Sequence, residues 1–490
     1  MIFSRRTLLS FVILVQMACT SNVGQLTLSI LHSSSPGEEP LDGVAAFVRI
    51  RIDGPDGRTG PKEFPIDQKI GVLSDAPVGE GQVITVEGLG AEMNPVSRGR
   101  TGPLTIKPGQ NKIELFVGLL ENFSHTPLPE NDYQRATMQQ SRAFHGANLL
   151  QDGTVLFTGG TTNSWRPTVN SIPKVTRSAE RINGNSLRFE KIDCGLQNHC
   201  MHSPRLQHSA TLLPSGNVLI AGGTDGDDHQ PTASTEIYFA NNANFLAGPD
   251  LESARLAHGG AIQRQSTVLA GGVTSAQTLT TSVESFEDGA LRSLPALQIA
   301  RHSFALILLD NKDLMACGGF DEQGNPLAST EFLAPGAARW RNGPSLNVPR
   351  AYHTATLLFD GTVLLVGGLT NNGQASLSIE LFDPNNMTIS EMGDLHLARW
   401  AHTTNQLLNG KILVAGGFAS SKNGSPTSVV EEITIEAGGT LNIKKPFFLR
   451  YPRAGHTATL LQSGMLLITG GLTEGKDGQQ PTDFAEVFIY

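Results

Sequence analysis

The 490-residue sequence has no dense run of lysine or arginine, and its formal net charge is −9. Nothing in it forms the electrostatic footprint that a nucleic-acid backbone selects. Long apolar runs are scarce as well. The one that stands out, Leu8 to Val15, is too short to span a bilayer as a mature helix. The composition excludes a membrane bundle, and a hydrophobic content of 39% excludes a disordered chain. Cysteine is sparse at four residues, as are tyrosine at five and tryptophan at three. What is plentiful is glycine, with 53 residues beside 27 prolines. That usage suits many short strands joined by tight turns better than it suits helices.

The opening MIFSRRTLLSFVILVQMAC joins Arg5 and Arg6 to the apolar run and places Ala18 before Cys19. It resembles the signal of bacterial lipoproteins, with Cys19 as the acceptor and Gln16 as a departure from that motif. Ser4-Arg5-Arg6 with Leu8 and Leu9 also resembles a twin-arginine export signal. The expectation is a signal segment over residues 1–19 and a chain held at the bacterial envelope by a lipid anchor alone. In an oxidising compartment Cys194 and Cys200, close together in CGLQNHC, are expected to form a disulfide. Cys317, in the apolar run LMACGG, reads as an inert core thiol.

Glycine doublets recur at Gly159-Gly160, Gly222-Gly223, Gly271-Gly272, Gly318-Gly319, Gly367-Gly368, Gly416-Gly417 and Gly470-Gly471, mostly close to fifty residues apart. An arginine precedes each at a near-constant distance: Arg142, Arg205, Arg255, Arg301, Arg350, Arg399 and Arg453. Between arginine and doublet lie two apolar stretches around a turn, as in HTATLLFDGTVLLVGG. These predict β-hairpins, with dipeptides such as Asp152-Gly153 and Asn409-Gly410 closing two-residue turns. A third strand carries a glutamate: Glu180, Glu236, Glu284, Glu331, Glu380, Glu432 and Glu486. A weaker fourth strand precedes the next arginine. Repeated charges inside a stack of sheets need partners, so each arginine is expected to pair with the glutamate of its own repeat.

The doublets, in this register, resemble the kelch repeat family and so the central domain of the galactose oxidase superfamily. The resemblance covers about three quarters of the chain and implies a seven-bladed β-propeller over residues 131–490. Its fourth strands depart from the family, since only Trp340 stands where a tryptophan is usual. Residues 24–120 lack the register but show strand-like stretches such as AAFVRIRI and QVITVEGL. They predict a small, immunoglobulin-like β-sandwich, with residues 121–130 as a linker. The propeller is expected to close by pairing Asn131 to Met138 with the carboxy-terminal strand.

Six repeats place a histidine three residues after the arginine, and the fourth has Phe304 there. Residues spread around a ring cannot converge on one metal, so the histidines read as structural. Arg350-Ala351-Tyr352-His353 is similar to a segment of galactose and glyoxal oxidases, in which the adjacent Tyr and His bind copper. The second cross-linked tyrosine and the further histidine of that family have no evident counterpart here. A kelch sugar epimerase is a further alternative, yet no acid–base pair identifies one. The reading is therefore a binding or scaffolding protein with no cofactor, no metal and no catalytic residues, engaging a protein or carbohydrate partner. Long second-to-third-strand loops in repeats one, two, six and seven offer Trp165, Arg166, Asp225, Asp227, Asp228, His229, Lys422, Glu474, Lys476 and Asp477 for the binding face. The three aspartates would also suit calcium, or simply water. Drift in unconstrained loops is the competing account of their length.

Overall fold

The computed structural model describes residues 12–14, 24–33, 41, 45–55, 57–65, 76–126, 137–166, 173–190, 192, 194, 199–224, 230–436, 439–475 and 478–490. Cys19, Asp225, Asp227, Asp228, His229, Lys476 and Asp477 lie outside the described residues. The described chain is all-β apart from one 3-10 turn at Asn371–Gly373.

Each repeat folds into its own antiparallel sheet. In the fifth, Thr354–Leu357 pairs with Val363–Val366, which pairs with Ser376–Asp383, which pairs with Thr388–Trp400. Second strands are apolar at nearly every position because neighbouring sheets cover both of their faces. Val218–Ala221, Leu314–Cys317, Val363–Val366 and Ile412–Ala415 are buried throughout. The innermost strands, such as Thr354–Leu357, are half-buried and touch the innermost strands of the sheets before and after them. Stacked, twisted sheets of this kind make a β-propeller.

The hairpin turns differ from the two-residue type. Leu150 N donates to Thr154 O and Gly153 N to Leu150 O, and only Gly153 has positive φ, at 82°. A type I turn followed by a left-handed glycine thus closes the hairpin, so one glycine suffices where a two-residue turn needs two such residues. Lys312 (φ 72°) takes the glycine's place in repeat four. Repeat three alone pairs its flanking residues, Gln263 and Ser266, directly across Arg264-Gln265.

The doublets join adjacent sheets. Gly160 N donates to Arg205 O at 2.8 Å, and a Cβ on Gly159 would lie 2.4 Å from that same oxygen. Their φ values of 61° and 100° lie where side chains are strained. The same link recurs from every doublet to the next arginine and returns from Gly471 N to Arg142 O at 2.9 Å.

Closure uses a different segment from the one expected. Ala485–Ile489 pairs with Leu466–Thr469 on one edge and with Asn122–His125, in the stretch read as a linker, on the other, while residues 131–136 of the segment expected there lie outside the described residues. The reason is Phe123, which is fully buried and packs its ring against Phe447 and Phe488. Met138 instead packs into the core between the first and last sheets, its N–H donating to Asp483 O at 2.9 Å.

In the amino-terminal region Gly24–Leu31 runs parallel to Gly109–Phe116 and antiparallel to Val12–Leu14, which falls inside the run read as a signal. A second sheet orders Gly57–Pro65, Phe47–Gly54, Gly79–Leu89, Pro95–Arg100 and Gly118–Leu119. Leu26 and Leu28 from one sheet share a core with Ile50, Ile52, Ile84 and Val86 from the other. The alternating burial of Phe47–Gly54 is what a sheet with one covered face requires. The chain leaves this sheet at Leu119 and enters the propeller's closing strand at Asn122.

Candidate functional site

The seven arginines are fully buried, and each meets a glutamate of its own repeat. Arg142 Nη2 lies 2.6 Å from Glu180 Oε1, Arg205 Nη2 3.0 Å from Glu236, Arg255 Nη2 2.5 Å from Glu284 and Arg301 Nη2 2.7 Å from Glu331. Arg350 pairs with Glu380 and Arg453 with Glu486 in the same manner. The sixth pair corrects the sequence reading, since Arg399 Nη2 meets Glu431 at 2.7 Å and not Glu432. Glu431 stands opposite Val414, the register that Glu380 holds opposite Leu365. Its neighbour faces the other side of the strand, where Lys444 Nζ and Lys411 Nζ lie 2.8 and 3.3 Å from the Glu432 carboxylate.

Arg350 shows how such a charge is accommodated. Nε donates to Val348 O at 3.1 Å, Nη1 to Gly367 O at 2.9 Å and Ser378 O at 3.1 Å, and Nη2 to Ser378 Oγ at 2.8 Å and to Glu380. All five donors are used. The second oxygen of Glu380 accepts from Asn347 N at 2.7 Å.

The histidines bridge sheets through Nε2. His208 meets Thr158 at 3.1 Å, His258 Ser209 at 2.9 Å, His402 Thr354 at 3.2 Å, His456 Thr403 at 3.0 Å and His145 Thr457 at 3.0 Å. His353 meets the Cys317 thiol at 3.6 Å. Burial, aided by the nearby arginines, pulls His208, His258, His353 and His456 down to about 3. Burial pushes the Cys317 thiol up to about 12. Cys194 and Cys200 are joined as a disulfide, their Cα atoms 5.1 Å apart.

Two residues after each arginine the backbone turns left-handed, at Phe144, Gln207, Ala257, Ser303, Tyr352, Ala401 and Gly455, with φ between 51° and 62°. Six of these N–H groups donate to the equivalent carbonyl of the neighbouring repeat: Phe144 to Gly455, Gly455 to Ala401, Ala401 to Tyr352, Tyr352 to Ser303, Ser303 to Ala257 and Ala257 to Gln207. The left-handed turn is what aims each N–H along this chain. Only Gly455 hinted at it in the sequence.

At the loop end of the propeller, aromatic side chains converge. Trp400 lies tilted against Phe418 (centroids 4.5 Å apart) and leans on Tyr352, which touches Phe320, which tilts over His302. Beside them opens a cleft of about 780 Å³ lined by His302, Phe320, Tyr352, Asn325, Asn371 and Lys422. It lies over the short loops of repeats four and five, and of the described residues proposed for the binding face only Lys422 lines it. Trp165 is buried edge-on against Phe144, while Arg166 stacks on Phe418 and donates to Gly424 O at 2.8 Å. Glu474 sits in the short strand Leu472–Gly475 and accepts from Gln479 Nε2 at 3.3 Å. The long loops of repeats one, six and seven therefore pack on one another, and the concavity is left where the loops are short. The lining asparagines were legible only as polar loop residues of GGFDEQGN and GGLTNNGQ.

The Tyr352 hydroxyl lies 3.5 Å from Gln207 Nε2, burial holds its phenol at about 12, and His353 is one of six equivalent inter-sheet histidines.

No protein-family model matches the chain, and no curated protein matches it. Among solved structures, that of YjhT is similar over 63% of this chain and 99% of its own, at 12% identity and a TM-score of 0.47. A fungal alcohol oxidase of the AA5 family, solved in complex with copper, is similar over 75% of each chain, at 13% identity and a TM-score of 0.55. The likeness to the oxidase is one of fold, and together with the sheet topology it shows an all-β propeller.

Proposed function

We propose that this chain is an exported kelch-type propeller of seven blades, preceded by an immunoglobulin-like sandwich, that binds its partner rather than transforming it. Residues 1–19 serve as the export signal and Cys19 carries the lipid that holds the protein to the bacterial envelope. The return of the inter-sheet links from Gly471 to Arg142 supports the count of seven. A carbohydrate suits the loop-end cleft better than a protein does, and the cleft's lining is the observation that carries the reading. Half-buried Phe320, Tyr352 and His302 offer ring faces to the C–H side of a sugar, while Asn325, Asn371 and Lys422 meet hydroxyls or a carboxylate.

A glycan array probed with the purified chain tests this. Binding should fall at least about tenfold in the variant Phe320→Ala/Asn371→Ala while the protein stays folded, as circular dichroism would show. Undiminished binding would move the site elsewhere. Copper uptake with turnover of an alcohol, measured in parallel, would replace the binding reading with the oxidase one. Export and anchoring are tested by Cys19→Ser, which should shift the protein from the membrane to the soluble fraction.

A further inference from the structure

A second cleft, of about 340 Å³, opens between the amino-terminal domain and the hairpin turns of repeats six and seven. Arg98 and Arg100 form one wall, and Leu408, Ser463, Met465 and Tyr490 form the other. The two arginines are alternate residues of Pro95–Arg100, so their side chains leave the same face of the strand. Arg98 is engaged: Nε and Nη2 donate to Glu87 Oε1 at 3.1 and 2.9 Å, and Nη1 donates to Tyr490 O at 2.9 Å. Glu87 also faces Arg49 at 3.5 Å, so its single charge already answers two cations. Arg100 is half-buried, and its side chain has neither a hydrogen bond nor an ion pair among the described residues.

Two further features mark the opposite wall. Ser463 is only 5% exposed, yet its hydroxyl has no hydrogen-bond partner among the described residues. Leu408 is 54% exposed at the rim, where it would cover the apolar part of a bound molecule. A cation without a counter-charge and an apolar lip around one concavity are complementary to an amphiphilic oxyanion.

We propose that this cleft binds such an anion, its phosphate or carboxylate on Arg100 and its apolar portion against Leu408, Met465 and the Tyr490 ring. The chemistry is shared by free organic phosphates and by the headgroup region of anionic phospholipids. The site is separate from the loop-end cleft, and either can fail without the other.

Titration calorimetry of the full chain with inorganic phosphate and with a water-soluble short-chain phosphatidate tests the assignment. The phosphatidate should bind, and Arg100→Gln should weaken it at least about tenfold while Arg100→Lys retains most of the affinity. Both variants should keep the wild-type melting temperature to within a few degrees, since the Arg100 side chain makes no hydrogen bond or ion pair among the described residues. Leu408→Asn should weaken phosphatidate but not phosphate. Equal affinity for the two probes overturns the apolar contact and leaves only a site for a free anion on Arg100. Tighter phosphatidate binding, with sedimentation on phosphatidate-containing vesicles, identifies a lipid headgroup. Failure of both probes to bind at about 10 mM, or unchanged binding by Arg100→Gln, overturns the proposal.

Discussion

A guanidinium carries five N–H donors and a charge, and burying it costs several kcal/mol unless every donor and the charge are answered. Arg350 meets both conditions, so breaking its pair should expose the cost directly. Arg350→Ala and Glu380→Ala should each lower unfolding stability by about 3–5 kcal/mol in denaturant titrations. The adjacent pair Glu431 and Glu432 offers a sharper comparison. Glu431→Ala should cost about 3–5 kcal/mol, and Glu432→Ala, whose partner Lys444 is half-exposed, about 1 kcal/mol or less. The recurrence of arginine and glutamate was legible in the sequence. Which of two adjacent glutamates points inward was not, because strand register decides it and register depends on a partner strand.

The buried histidines give the fold a pH dependence. Burial depresses their folded-state values from 6.5 to about 3 in His208, His258, His353 and His456. They stay neutral in the fold and gain protons on unfolding, so their contribution is complete above about pH 6.5 and is lost as pH falls towards about 3. Unfolding free energy should drop across that window by up to about 1.4 kcal/mol per pH unit for each histidine. Replacing His258 by Gln should flatten the slope by about that amount. An unchanged slope in the variant would show that the ring titrates normally.

Between elements, the histidine and its partner vary together. Each histidine finds a hydroxyl or thiol either at the start of the previous repeat's first strand or at the end of its second. Thr158 serves where Gly146 cannot, Ser209 where Ala221 cannot, and Cys317 where Ala305 cannot. The third repeat has Gly259 and Ala270 at these two places, with no group to offer, and the residue facing them is Phe304 instead of histidine. A Cβ on Gly259 would lie 2.9 Å from the Phe304 ring, so the ring fills the space. Phe304→His should therefore destabilise the protein by about 1–3 kcal/mol, leaving a buried imidazole without a partner. Adding Ala270→Thr should recover part of that loss in a double-mutant cycle. The exception at Phe304 was visible in the sequence, but its cause needed the sheet that packs against it. The loop-end cleft escaped for a related reason. Loop length drew attention to repeats one and six, whose loops fill space around Phe418, while the short loops of repeats four and five leave it open.

At the scale of the molecule, the repeats, the all-β class and the strand positions followed from glycine and apolar spacing, whereas the closing strand carries no such spacing. Asn122–His125 sits beside two prolines and reads as a connector, and only its Phe123, sealed between Phe447 and Phe488, shows what it does. Phe123→Ala should cost about 3–5 kcal/mol. A chain beginning after residue 126 should leave Ala485–Ile489 with an unpaired edge and elute as aggregates in size-exclusion chromatography, while the intact chain elutes as a discrete species.

That closure also sets a clock. Between Asn122 and its partner strand at Ala485 the ribosome must add 363 residues. At about 5–20 residues per second this takes about 20–70 s. Throughout that interval Phe123 is already made and its cover is not. The protein must be kept from sticking to its neighbours for the whole of its own synthesis, and a ribosome that stalls in the last repeat releases a chain whose wound is still open.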